Sequence, residues 1–167
     1  MPSYSEDRSW SDRFIPAMKQ VIGPHLLEVS SFEVDTQQAT DLVVMKANGV
    51  TIACRVRRPG YLNYKNEFTI RRKRDSGAVT EMDKIINGWA DWMFYGHAVS
   101  NCDQLELPGF SAWYLINLDS FRAQLIKYQK SLRFGKKSNV DGTHFTAFDM
   151  TSFQPHPPLL IASHGIQ

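Results

Sequence analysis

Between positions 55 and 74 the chain carries Arg55, Arg57, Arg58, Lys65, Arg71, Arg72, Lys73 and Arg74, opposed within that stretch by Glu67 alone. Tyr61, Tyr64 and Phe68 are set among them. Cations at this density neutralise phosphates and release the counterions condensed on a nucleic acid, while exposed rings stack on bases. Guanidinium groups also grip phosphate oxygens in pairs, which a single ammonium does not. The stretch is therefore expected to meet nucleic acid, either DNA or RNA, or another polyanion. Arg55, Arg57, Arg58, Tyr61, Tyr64, Arg71, Arg72, Lys73 and Arg74 are the expected contacts. A second cluster, Lys127, Lys130, Arg133, Lys136 and Lys137, falls where a helix is expected to end. Cations there favour the negative end of the helix dipole, so this cluster reads as structural.

The whole chain is much less polarised. Its 167 residues carry 19 basic and 17 acidic side chains, a net charge of +2, and 43% of positions are apolar. That length suits one domain over 1–167 with a single core. Residues 1–8 are polar and lack the apolar run of a secretory signal, so they are expected to be a flexible N-terminus. No stretch approaches the roughly 20 apolar residues of a bilayer span, which argues against a membrane partner. Cys54 and Cys102 are too few for a disulfide framework, and a reduced, cytoplasmic setting is expected. The tryptophans leave room for a homodimer or a protein partner. The five histidines lack metal-ligand spacing, and no phosphate-binding glycine loop occurs. His144-Phe145-Thr146 matches half of a two-histidine phosphoesterase signature, but His97 is followed by Ala98-Val99-Ser100, so the second half is missing. Glu33 and Asp35 share one strand face and read as a polar edge.

The elements that must position these groups follow from periodicity and caps. Phe14, Met18, Val21 and Ile22 predict a helix that starts near Ser9 or Ser11 and is ended by Gly23-Pro24. Extended segments are expected over 27–34 and 41–45. Asn48-Gly49 then predicts a hairpin into a strand over 50–57. In that strand Ile52, Cys54 and Val56 share the core face, and Ala53, Arg55 and Arg57 the other. A short strand is expected over 67–71. Thr80 is the expected cap of a helix burying Met82, Ile85, Ile86 and Trp89, with Asp83 approximating a capping box. Strands over 91–96 and 111–118, a helix capped by Asp119 or Ser120, a loop over 135–142 and a strand over 144–150 follow. Residues 151–167 read as an irregular, proline-containing tail as far as Leu159-Leu160-Ile161. This order implies an α/β (α+β) domain with a mixed central sheet flanked by helices.

Asp41 opening a strand, the arginine-ended strand after it, Phe68-Thr69-Ile70-Arg71, Thr80-Glu81-Met82-Asp83-Lys84-Ile85 and Phe94-Tyr95-Gly96 together resemble the PD-(D/E)XK, or restriction-endonuclease-like, superfamily. The likeness is to its small phage-type members and spans roughly 10–150. It implies Mg²⁺-dependent phosphodiester hydrolysis, with Asp41 as one metal ligand. The chain departs from the pattern at the second motif, where Ala53-Cys54-Arg55 and Arg55-Val56-Arg57 offer no carboxylate. Two outcomes stay open. Glu81 replaces the missing metal ligand, with Lys84 three residues on as the cation assisting the nucleophile, and Asp41, Glu81 and Lys84 form the catalytic set. Alternatively the domain is a catalytically inactive nuclease-fold binding protein, such as a phage accessory or anti-defence factor. It would then act in the host cytoplasm through nucleic-acid or protein interaction, with Asp41 salt-bridged to Arg55 and Arg57.

Overall fold

A computed structural model describes residues 4–29, 45–47, 49–101 and 108–166. Among the described residues the fold is a mixed α+β arrangement of four helices and nine strands. Two N-terminal helices, α1 (Tyr4–Asp12) and α2 (Ile15–Leu26), lead into the short strands β1 (Leu27–Val29) and β2 (Met45–Ala47). Then come β3 (Ile52–Arg57), β4 (Glu67–Arg74), α3 (Glu81–Ile86), β5 (Trp92–Ala98), β6 (Phe110–Asn117) and α4 (Leu118–Tyr128). The chain closes with β7 (Phe134–Ser138), β8 (Thr143–Asp149) and β9 (Leu160–His164).

Two sheets dominate. One is mixed, in the order β3-β5-β6-β9, with β3 parallel to β5 and the other pairs antiparallel. The other is the antiparallel β4-β8-β7. The strands anticipated as one central sheet therefore divide between two.

Strand alternation builds the core. On β5 and β6, Met93, Tyr95, Tyr114 and Ile116 face one way and pack with Phe68, Ile70, Phe148, Ile85 and Phe121. Phe94 and Leu115 face the other way and pack with Trp10, Phe14, Met18 and Ile22 of the N-terminal helices. Burial on both faces explains why β5 reads as a nearly continuous apolar run rather than an alternating one.

Several local expectations are revised. A helix already spans 4–12, where the N-terminus is anticipated to be flexible and a helix to begin only near Ser9, and α2 continues through Gly23-Pro24 to Leu26. The strands flanking Asn48-Gly49 do not pair with each other, because β2 pairs with β1 while β3 takes the buried β5 as its parallel partner. Cys54 is exposed rather than in the core, since β3 is an edge strand and an open cleft runs along it. Trp89 is 67% exposed: α3 stops at Ile86 and Gly88 takes φ +78°, so the helical period no longer reaches it. The loop anticipated at 135–142 contains most of β7. The tail supplies β9, which closes the edge of the mixed sheet against β6.

Among the described residues no helix is long and apolar enough to cross a membrane.

Candidate nucleic-acid interface

The alternation of β3 places Arg55 and Arg57 on the side of Ala53, and its parallel register sets them beside Tyr95 and His97 of β5. Both guanidinium groups thereby reach toward the second sheet. Arg55 Nη1 donates to the Thr69 carbonyl at 3.2 Å and to Glu81 Oε2 at 2.7 Å. The backbone N–H of Arg71 donates to the same Glu81 oxygen at 2.9 Å. Glu81 is delivered there by the first turn of α3, which a complete capping box fixes: Thr80 Oγ1 accepts from Asp83 N, and the Asp83 carboxylate accepts from Thr80 N. Phe145 of β8 lies under two cations, with the Arg55 and Arg71 guanidinium carbons 5.1 and 5.6 Å from its ring centre. Burial first, then the charges of Arg74 and Arg55, pull the Arg71 pKa below the usual arginine value.

Arg57 bridges inside and outside. Its Nη1 donates to the Tyr95 hydroxyl at 3.1 Å, and its guanidinium carbon lies 4.4 Å from the Tyr61 ring centre. Tyr95 Oη in turn accepts from Thr69 N at 3.3 Å and lies 3.0 Å from Thr69 Oγ1. Tyr95 stacks on Tyr114, whose hydroxyl donates to the Glu67 carbonyl at 2.6 Å. His97 completes this buried group at 2% exposure, with neither ring nitrogen hydrogen-bonded among the described residues. Burial, then the nearby Arg57 charge, pushes its pKa down to about 4.

The surface end of the patch is the turn joining β3 to β4. Tyr61 and Tyr64 are 45% and 44% exposed, and Lys137 of β7 sits 4.6 Å from the Tyr64 ring centre. Each ring is thus paired with one cation. Arg58 turns the other way, to Asp7 at 3.0 Å and over Trp10 at 4.4 Å. Arg72 falls in the β4–β8 register shift, with its Nε buried and unpartnered among the described residues.

An open cleft of about 1380 Å³ runs between α1 and α2, the edge of β3, and α3. Its described lining carries seven cations, Arg8, Lys19, Arg55, Arg58, Arg71, Arg74 and Lys84, against three carboxylates, Asp7, Asp12 and Glu81. All three carboxylates are in ion pairs with cations of the same wall: Arg58–Asp7, Arg8–Asp12 and Arg55–Glu81. Four positive charges are left in excess.

Of the expected catalytic set, Glu81 and Lys84 fall within the described residues. Glu81 and Lys84 line the same cleft, but Glu81 Oε2 is engaged by two N–H donors and the Lys84 ammonium lies 5.4 Å from the Trp89 ring centre. Asp41 lies outside the described residues, as do Glu33 and Asp35. Mg²⁺ takes hard oxygen donors, so a cation at Glu81 would compete with a guanidinium 2.7 Å away. Among the described residues no group of three or more His, Cys, Asp or Glu is placed to hold a metal ion.

Sequence reasoning did not mark Tyr95, Thr69 or Phe145 as partners of the arginines. Their strands are distant in sequence, and only the register of β3 on β5 and of β4 on β8 makes them neighbours. No protein-family model, curated protein or solved structure matches this chain.

Proposed function

We propose that this chain binds nucleic acid, with the β3 and β4 arginines contacting phosphates from the cleft and Tyr61 and Tyr64 stacking on unpaired bases at its outer end. The observation that carries this reading is the cleft wall itself, where, among the described lining residues, seven cations face three carboxylates and Arg71, Arg74, Lys84 and Lys19 stand outside the three ion pairs. Cations crowded on one wall repel one another, and a phosphate backbone laid along them relieves that repulsion. Tyrosine faces add affinity without demanding a sequence. On this reading Glu81 is a structural anion that spaces Arg55 from Arg71.

The restriction-endonuclease-like description of the fold belongs to the same proposal. Its support is the mixed sheet, with a parallel β3–β5 pair and helices packed on one face. Hydrolysis with Mg²⁺ is the second reading, favoured by Glu81 and Lys84 lining the same cleft. Labelled single-stranded and duplex oligonucleotides of DNA and RNA test both. Binding without cutting in Mg²⁺ or Mn²⁺ supports the first reading. Cutting that Asp41→Asn and Glu81→Gln each abolish supports the second. Absence of any binding at low salt overturns both.

A further inference from the structure

At the far end of the three-stranded sheet the register aligns three side chains that the cleft does not use. Ser138 of β7 pairs with His144 of β8, and His144 pairs with Lys73 of β4. Directly paired residues on adjacent antiparallel strands project to the same side, so Ser138, His144 and Lys73 form one row. Asp75 follows β4 by one residue. Ser138 Oγ lies 2.7 Å from His144 Nδ1, and His144 Nε2 lies 2.9 Å from Asp75 Oδ1.

The surrounding turn is shaped for this. Asp75 N donates to the Gly142 carbonyl at 3.2 Å, and Gly142 takes φ +73°. A Cβ at Gly142 would fall 2.9 Å from Asp75 Oδ2, so glycine keeps room for the carboxylate. The hydrogen bond to His144 lowers the Asp75 pKa. With Nε2–H donating to Asp75, Nδ1 is left with a lone pair facing the serine hydroxyl.

We propose that Ser138, His144 and Asp75 form a nucleophilic site that cleaves carboxylic esters. Serine attacks the carbonyl carbon through Oγ while its proton passes to His144 Nδ1, and the carbonyl electron pair moves onto oxygen. Collapse of that adduct expels the alcohol, which leaves with the proton from Nδ1, and acyl-Ser138 remains. Water, deprotonated by the same nitrogen, then releases the carboxylic acid and restores the hydroxyl. Asp75 is a positioning residue that fixes the imidazole tautomer, and the Lys73 ammonium supplies positive charge on the same row. All five residues of β7 are exposed, which suits an acyl group presented at the end of a larger molecule rather than one enclosed in a pocket.

The full chain, treated with p-nitrophenyl acetate and separately with an alkyl fluorophosphonate, tests this without any phosphodiester. The expected result is an adduct that peptide mass spectrometry places on Ser138, together with ester turnover. Ser138→Ala should abolish both with an unchanged circular dichroism spectrum. Asp75→Asn should slow turnover by about 10-fold or more and shift its pH profile, because the tautomer is no longer fixed. Ser138→Cys, which keeps a nucleophile, should retain acylation. No adduct on Ser138, or turnover that persists in Ser138→Ala, overturns the proposal. Either outcome leaves the nucleic-acid reading to its own test.

Discussion

Arg55 and Glu81 form an ion pair of 2.7 Å between β3 and α3, with 23% and 28% of their side chains exposed. The pair ties the edge of the mixed sheet to the helix beside it, and the Arg71 N–H binds the same oxygen. Glu81→Ala would leave a largely covered guanidinium without its counter-charge, at a cost of about 2 kcal/mol, between the values for exposed and for fully buried pairs. A double-mutant cycle with Arg55→Ala, followed by urea denaturation, should return a coupling energy of about 1 kcal/mol. Glu81→Gln, which removes an acid from the cationic wall, should raise oligonucleotide affinity by a few-fold. A fall in affinity would mean that Glu81 takes part in holding the ligand.

His97 makes stability depend on pH. Its folded-state pKa of about 4 lies below the ordinary 6.5, so between these values the unfolded chain binds the extra proton. Stability from this group is therefore complete above about pH 6.5 and is lost as pH falls toward 4, by on the order of 3 kcal/mol. The imidazole is packed against Tyr95 and Tyr114 and near Arg57, none of which offers it a compensating negative charge. Urea unfolding at pH 7.5 and pH 5 should show the loss, and His97→Leu should flatten it. An equal slope in His97→Leu would assign the acid sensitivity to other groups.

Gly165 holds the end of the tail against the sheet. It takes φ +71°, and a Cβ there would lie 2.5 Å from the Ser111 carbonyl oxygen and 3.1 Å from Ala112. Gly165→Ala should therefore destabilise the domain by about 2 kcal/mol or loosen β9 from β6. Hydrogen exchange at Trp113, Tyr114, Leu115 and Ile116, the β6 residues that pair with β9, would report the loosening. Unchanged protection together with unchanged stability would show that the tail end carries no strain.

What the sequence made legible follows the range of each signal. The Thr80 cap and the β3 face carrying Ala53, Arg55 and Arg57 are local patterns, and both are present in the structure. The helix expected to be capped by Asp119 or Ser120 is also present, but Asn117 caps it, its side chain accepting from the N–H groups of both. The partner of β3 was not legible, because Asn48-Gly49 signals a local hairpin while the burial offered by β5, some forty residues on, decides the pairing. Trp89 misled for a related reason: its spacing fits a helix that Gly88 has already ended. At the candidate site the cations were visible as a cluster, but which of them are neutralised was not. Arg58 meets Asp7 and Arg55 meets Glu81 only through tertiary packing. The contact of Ser138 and Asp75 with His144 was not legible, because residues 134–138 carry no strand pattern in sequence and only the β7–β8 register brings Ser138 to His144.

Arg71 and Arg74 are expected to contact phosphates from the cleft. Fluorescence anisotropy of a labelled single-stranded oligonucleotide, titrated at salt concentrations from 25 to 300 mM (roughly a tenfold span), measures it most directly. Log affinity should fall linearly with log salt, and the slope of Arg71→Ala plus Arg74→Ala should be shallower by about 1.5. A slope that the double variant leaves unchanged, or binding that does not respond to salt at all, would contradict it.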